Sequence, residues 1–414
     1  MPWLFAVAMA ASTAIAAFGG LVLGYLAATE TGFGSRHWTE AVQAHGHLQL
    51  LGWATVFVAA LTFEFVARLN QRPALLPARP RAGVLLALAL GATLEAVGQV
   101  WHGRLGFAWP LGAGLVLAGA AGFALIVFRV PAPRRLREDF HPAWFRTAAA
   151  WVVAATALQF LTAARASLAV ASLDESRLTT ELLLRGFILS SIVAVGLRAF
   201  PGHLALTPMG SGRQRAAWSG LTASVVIWSA GSGAYGLPDS EVLRVAGDVS
   251  FGATALVLTS WLQVLRPLRE PRRGPRYRVL VPIAWLGLCA YALVLAAAAV
   301  SELFGDRSLY ESGAVRHIFL LGFMAPLMVA MAHIVLARFG TGHLVAENWL
   351  TASFVLLMVA WPLRVLPVLL SDSPGAGSRH ILGAAGAVAF VALALFAIVA
   401  ARNALAIARR SRGS

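Results

Sequence analysis

Two histidines, His45 and His47, stand one residue apart at the head of the apolar stretch TEAVQAHGHLQLLGWATVFVAALTFEFVARL. Imidazole nitrogens bind haem iron, copper or zinc, and they exchange protons near neutral pH. An ionisable group inside an apolar, membrane-length segment is costly and is usually kept for function. The pair therefore predicts a cofactor or metal site. The alternative, for either residue alone, is an interfacial histidine hydrated by lipid headgroups.

The faces that the pair occupies follow from the rotation of a regular helix, about 100° per residue, which sets the two rings about 200° apart. The His45 face continues through Gln49 and Gly52, and a glycine leaves a shallow surface against which a flat macrocycle can lie. The opposite face carries Gln43 as well as His47. We expect this helix to serve two neighbouring sites, one on each face.

A second group of candidate ligands begins at His317, in the stretch AVRHIFLLGFMAPLMVAMAHIVLARFG. One helical face of this stretch is rich in thioethers and the other carries a second histidine: His317, Met324, Met328 and Met331 on the first, and Gly322, Pro326 and His333 on the second. Histidine with thioethers suits a haem or a Cu(I) ion. Methionines at helical spacing also fill cores, so His317 is the stronger candidate ligand.

Further polar residues recur at corresponding points of other apolar segments. Glu95, Gln99 and His102 are spaced by four and three residues, which predicts one polar stripe that orients a ligand or passes protons, or else ordinary hydrogen bonds between helices. His380 opens the last apolar segment and is a further candidate.

Two arginines, Arg185 and Arg364, lie about two turns inside apolar segments, where they need an anion. Haem propionates are such anions, and Arg316 and Arg379 directly precede the candidate histidines 317 and 380. The alternative is a structural ion pair, for instance Arg185 with Glu181 one turn away.

The composition is that of a membrane protein: 59% of the 414 residues are hydrophobic, 12% are charged, and the mean hydropathy is +0.74. All 33 basic residues are arginine, as in a GC-rich bacterial genome, so the net charge of +15 does not indicate nucleic-acid binding. The single cysteine, Cys289, excludes an intrachain disulfide framework, a thiolate zinc site, a covalently attached c-type haem and a two-cysteine copper centre.

Apolar segments of about 20 residues span the roughly 30 Å hydrocarbon core. Twelve such segments predict an all-α polytopic integral membrane protein, a single transmembrane domain over 1–414 without an internal repeat, at 3–28, 40–67, 83–103, 108–129, 146–164, 178–199, 216–235, 247–265, 279–302, 315–337, 348–370 and 380–401. Arginines concentrate in alternate loops and in the C-terminal tail, which predicts that both termini are cytoplasmic.

This topology sorts the histidines by depth. Five are expected at one level in the outer half of the membrane: His45, His47, His102, His317 and His380. His333 lies sixteen residues, about 24 Å of helical rise, below His317. Those at 141, 203 and 343 are expected in cytoplasmic loops as solvated surface residues.

The His-Gly-His near the start of the second segment, the Arg-His pair followed by LLGFM in the tenth, and the twelve-helix plan resemble the NnrS family of haem- and copper-containing bacterial inner-membrane proteins. The resemblance implies non-covalent haem b and possibly copper, with His45, His47 and His317 as the first candidate ligands. It also implies a link to nitric oxide metabolism or tolerance during denitrification.

Two other classes stay open. A haem-copper oxidase or nitric oxide reductase subunit also has twelve helices, but the sixth and seventh segments predicted here hold no histidine and the tenth has no His-x-His. A twelve-helix transporter explains Arg185 and Glu95 but not five histidines at one depth. If electrons enter, membrane quinol is the expected donor, because the chain offers no c-type haem or two-cysteine copper centre to receive them.

Overall fold

The computed structural model describes residues 2–69, 77–131, 140–165, 170–270, 274–305, 309–337, 344–370 and 376–413. These residues form an all-α protein without a named strand; an isolated bridge joins Ser232 and Asp239. The predicted fold class, an all-α polytopic membrane protein, is confirmed.

Each of the twelve predicted segments forms a long helix. The helices are α1 (Leu4–Thr29), α2 (Trp38–Leu69), α3 (Ala78–Val100), α4 (Ala108–Arg129), α5 (His141–Arg165), α6 (Leu173–Leu204), α7 (Ser211–Ala230), α8 (Glu241–Leu262), α9 (Tyr277–Glu302), α10 (Gly313–Leu336), α11 (Glu347–Leu369) and α12 (Gly377–Arg410).

Among the described residues, eleven helices are long and apolar enough to cross a membrane, and α7 is the long helix that does not qualify. The sequence predicted a span at 216–235, but α7 begins at Ser211 with the polar run SGRQR and ends at Ala230. The next residues form a turn in which Gly233 and Gly236 have positive φ. The seventh predicted span is therefore shifted toward the N-terminus and is less apolar than expected.

The helices group into two compact units. The α2–α8 unit comprises Thr39–Thr254, and the terminal unit comprises Met1–Trp38 together with Ala255–Ser414, so α8 contributes residues to both. The sequence predicted a single transmembrane domain over 1–414, and this stays a prediction.

Three helices are far more buried than the rest. In α2, α6 and α10 the most apolar window is 94%, 89% and 89% buried, whereas in the other eight candidate spans this share is 33–50%. A membrane helix with little surface for lipid is surrounded by other protein segments, so polar groups on it can be paired inside the protein. The candidate residues His45, His47, Arg185, His317 and His333 all lie on these three helices.

The same three helices, and α1, contain π-helical segments: Ile15–Leu21, Leu48–Thr55, Leu182–Ile188 and Ile318–Met324. The fifth residue of each π segment is a glycine: Gly19, Gly52, Gly186 and Gly322. In α2, α6 and α10 the surrounding letters are LLGW, LRGF and LLGF, and the residue before the segment is His47, Glu181 or His317. Sequence reasoning missed this short repeat. Single-turn π segments are rare and frequent at functional sites.

Close glycine contacts bring neighbouring helices together within each unit. A Cβ on Gly112 of α4 would lie 2.5 Å from the Glu95 backbone nitrogen of α3, and one on Gly98 would lie 2.2 Å from the Trp109 nitrogen. In the terminal unit, a Cβ on Gly287 of α9 would lie 2.0 Å from the Gly322 carbonyl oxygen of α10. Only glycine permits such backbone approach.

Candidate functional site

The α2–α8 unit contains a buried polar cluster centred on His47. The His47 Nδ1 atom lies 3.2 Å from Glu95 Oε2, and the Glu95 side chain is fully buried. The Gln159 amide of α5 lies 2.9 Å from His47 Nε2 and donates to Glu95 Oε2 at 3.2 Å. Because an amide N–H donates, His47 Nε2 accepts, which assigns the ring proton to Nδ1. Nδ1 lies within ion-pair distance of the carboxylate but forms no hydrogen bond among the described residues.

A second layer of amides surrounds this cluster. Gln99 Nε2 donates to Gln43 Oε1 at 3.3 Å, and Gln43 is bonded to both the backbone N–H and the carbonyl of Ala171. Glu95 Oε1 and Gln99 Oε1 are buried and have no hydrogen-bond partner among the described residues. Buried polar atoms without a partner in the chain are what a bound ligand or water molecule satisfies.

The stripe predicted on α3 is therefore only partly correct. Glu95 and Gln99 are buried on one face, but α3 ends at Val100 and Trp101 leaves helical geometry. His102 lies in a separate four-residue helix, His102–Leu105, and is exposed. The residue that completes the cluster is Gln159, which sequence reasoning missed because an isolated glutamine on α5 carries no spacing signal.

The prediction of two separate faces on α2 assumed a regular helix throughout. His45 and His47 do lie in the α-helical part, Trp38–His47, and both are half-buried. The π segment that follows rotates less per residue than an α-helix, so Gln49 and Gly52 do not continue the His45 face in the expected register. Gln49 is buried.

In the terminal unit, His317 is half-buried and directly precedes the π segment of α10. Its Nδ1 atom lies 2.6 Å from the Gly313 carbonyl oxygen, which can only accept, so Nδ1 carries the proton and Nε2 the lone pair. A ring held in this way has the form in which histidine ligates a metal, since ligating histidines nearly always donate their other N–H to an oxygen.

His333 shares this pattern near the other end of α10. It is buried, its Nδ1 lies 3.1 Å from the Val329 carbonyl oxygen, and its Nε2 lies 3.4 Å from the Thr351 hydroxyl of α11. Arg276 also donates to that hydroxyl at 2.8 Å. His333 thus already has polar partners on both ring nitrogens.

The methionines of α10 are core residues: Met324, Met328 and Met331 are all buried. The bare surface at Gly322 contacts α9 at Gly287, and a Cβ built at Gly322 would lie 3.5 Å from the Trp361 ring of α11. These contacts show helix packing on that face.

Arg185 is the centre of a buried ion cluster in the α2–α8 unit. Its Nε lies 2.7 Å from Glu181 Oε2 and its Nη1 lies 2.5 Å from Asp248 Oδ1 of α8. The guanidinium carbon is 5.5 Å from the Trp228 ring centre and 5.1 Å from that of Phe251. The alternative considered for Arg185, an ion pair with Glu181, is present, with a second carboxylate that the sequence did not reveal.

The remaining candidates are more peripheral. His380 is exposed, Arg364 is half-buried on α11, and Arg379 pairs with Glu30 at 2.6 Å. Of the histidines expected in loops, His141 is instead fully buried at the start of α5, and position 203 falls in the last turn of α6. Position 343 lies outside the described residues.

Tyr235, in the turn between α7 and α8, hydrogen-bonds to α5. Its hydroxyl donates to the Leu158 carbonyl at 2.8 Å and lies 2.5 Å from the Thr162 hydroxyl. Burial raises the pKa of this phenol, and the nearby Glu175 carboxylate adds to the effect, although the Thr162 hydrogen bond opposes it. The non-glycine φ of 55° at Tyr235 marks a strained loop position.

The described residues contain no group of three or more His, Cys, Asp or Glu side chains close enough to hold a metal ion. A copper centre built from three such ligands therefore does not fit this arrangement. A haem needs only one or two axial protein ligands, and the ring orientation of His317 fits that role.

Comparison with protein-family models gives no match for this chain. Comparison with curated proteins gives none either.

Proposed function

We propose that this protein is a bacterial inner-membrane protein that binds non-covalent haem b and acts on or responds to nitric oxide. The observation that carries the proposal is the orientation of two imidazoles at equivalent positions, each directly before a π segment. His317 Nδ1 donates to the Gly313 carbonyl, and His47 Nδ1 lies 3.2 Å from the Glu95 carboxylate. In both residues Nε2 keeps the lone pair that an axial ligand needs.

The surroundings of each ring suit this role. Both histidines lie on helices that expose little surface to lipid, so a ligand there is held inside protein. The carboxylate beside His47 would raise the basicity of its ring. Binding through His47 Nε2 requires the Gln159 amide to move from its 2.9 Å contact. When bound, a haem iron supplies an open position for a diatomic ligand such as nitric oxide.

Arg185 is not part of the support, because two carboxylates already surround it. Copper remains part of the proposal only through the family resemblance. Membrane quinol is proposed as the electron donor if the haem turns over. A transporter is the competing function, and the buried ion cluster at Arg185 is compatible with it.

The test is an optical spectrum of the purified protein, with pyridine haemochrome and metal analysis. We expect a Soret band, b-type haem, and a Soret shift when nitric oxide is added to the reduced protein. A colourless, metal-free protein from haem-sufficient cells would overturn the proposal and favour the transporter.

A further inference from the structure

A cavity of about 500 Å³ lies in the terminal unit where α8 ends and α9 passes it. Two arginines, Arg266 and Arg269, line it together with Ser260 and Gln263, and Cys289 of α9 forms part of its wall. Leu256 and Leu265 supply apolar lining. A cavity lined by cationic and neutral donors and by aliphatic groups matches an amphiphile with an anionic head.

The charge of the cavity favours an anion. Arg266 is paired with Glu270, with Nε 3.2 Å from both carboxylate oxygens. Within the described part of the chain, Arg269 forms no ion pair, so it retains its charge for a ligand. The two arginines and one glutamate leave one net positive charge at the cavity.

The backbone at the cavity is unusual. α8 stops at Leu262, and Gln263 takes a φ of 54°, which a residue with a side chain adopts only at a cost. Its carbonyl accepts the Arg266 N–H at 2.9 Å, so the turn brings the arginines back toward the end of α8. Strained non-glycine positions that persist cluster at binding sites.

The helix that supplies Cys289 to the cavity wall, α9, also carries exposed aliphatic side chains. Exposed aliphatic side chains recur every seven residues on this helix, at Val279, Leu286, Leu293 and Val300. Val257 of α8 is also exposed. Exposed aliphatic side chains on a membrane-length helix suit contact with an acyl chain.

We propose that this cavity binds the phosphate-bearing headgroup of an anionic phospholipid. The arginine distribution of the loops predicts that this end of α8 faces the cytoplasm, so the lipid belongs to the inner leaflet. The proposal is independent of haem.

Cys289 makes the test direct, because it is the only cysteine in the chain and it lines the cavity. The rate of N-ethylmaleimide labelling is measured in nanodiscs of phosphatidylcholine alone, with added phosphatidylglycerol, and with added inorganic phosphate. We expect phosphatidylglycerol to slow labelling. Arg269→Gln should weaken this protection about fivefold, as expected for loss of one cation near an anionic lipid. Arg104→Gln, which removes an exposed arginine of the α2–α8 unit, should leave it unchanged.

Glu270→Gln removes the competing carboxylate and should strengthen protection. Equal labelling rates of wild type and Arg269→Gln in phosphatidylcholine alone would show that the cavity is intact in the variant. Native mass spectrometry gives a second reading: wild type should retain phosphatidylglycerol that Arg269→Gln loses. No retained lipid in wild type, equal retention by both proteins, or protection by inorganic phosphate alone would overturn the proposal.

Discussion

His47 and Glu95 face each other across α2 and α3, with Nδ1 and Oε2 3.2 Å apart and the carboxylate fully buried. Gln159 donates to that carboxylate and contacts the ring, so three helices meet at one polar cluster. Removing one member leaves buried polar atoms unsatisfied, which typically costs about 1–3 kcal/mol.

Glu95→Ala should therefore destabilise the protein by about that amount, and Glu95→Gln by less because an amide oxygen still accepts from Gln159. The measurement is thermal unfolding in detergent. Thr93→Ala, on the exposed face of the same helix, is the matched control. If His47 ligates haem, Glu95→Gln should also weaken haem retention about 10–100-fold. Equal unfolding temperatures for Glu95→Ala and Thr93→Ala would contradict the structural role.

His317→Ala should remove or reduce the b-type haem, because Nε2 of this ring is the proposed axial ligand. His380→Ala removes an exposed histidine at the start of another helix and should keep wild-type haem. Haem is counted per chain from the pyridine haemochrome. Wild-type haem content in His317→Ala would exclude the ligand role of His317.

His45→Ala and His47→Ala should differ in their effects on haem and copper content, because the two rings leave α2 in different directions. His47 contacts Glu95 and Gln159. Metal analysis of both variants is the measurement. Identical loss of one metal from both would indicate a single shared site.

Arg185→Gln should destabilise the protein by about 3–5 kcal/mol, since it leaves two buried carboxylates without their cation. Asp248→Asn should cost less, because Arg185 keeps Glu181. Arg104→Gln is the control. Arg244 would not be a neutral control, because it lies in the first turn of α8 and pairs with Asp239. Arg185 and Arg364 were both predicted to hold propionates. A shift in haem potential in Arg185→Gln at unchanged stability would restore that role for Arg185.

The pH dependence of stability should reveal Tyr235. Burial raises the pKa of its phenol, so the folded state favours the neutral form. In the unfolded chain the same phenol has a pKa of about 10. The contribution of this group is thus complete below about pH 10 and is lost as pH rises through the folded pKa. Tyr235→Phe should be slightly less stable at neutral pH and should lose less stability between about pH 9 and 11. Equal losses of stability with rising pH in the wild type and in Tyr235→Phe would contradict the raised pKa of Tyr235.

The sequence alone determined the membrane fold. Segments of about 20 apolar residues leave no choice but helices, because lipid offers no partner to a free backbone group. All twelve segments are helical. The segment whose bounds deviate is α7, because the polar residues at its start obscured where the helix begins. Histidines and arginines within such segments also stood out from sequence, since their burial in lipid is costly.

The tertiary structure decided which of those residues meet. Spacing on α3 predicted a stripe through His102, but the helix ends at Val100, so only Glu95 and Gln99 join the buried cluster. The partners of Arg185 and His47, Asp248 and Gln159, are 63 and 112 residues away along the chain. Helical periodicity relates residues within one helix and does not predict contacts between helices. It also assumes constant rotation, which the π segments after His47 and His317 break.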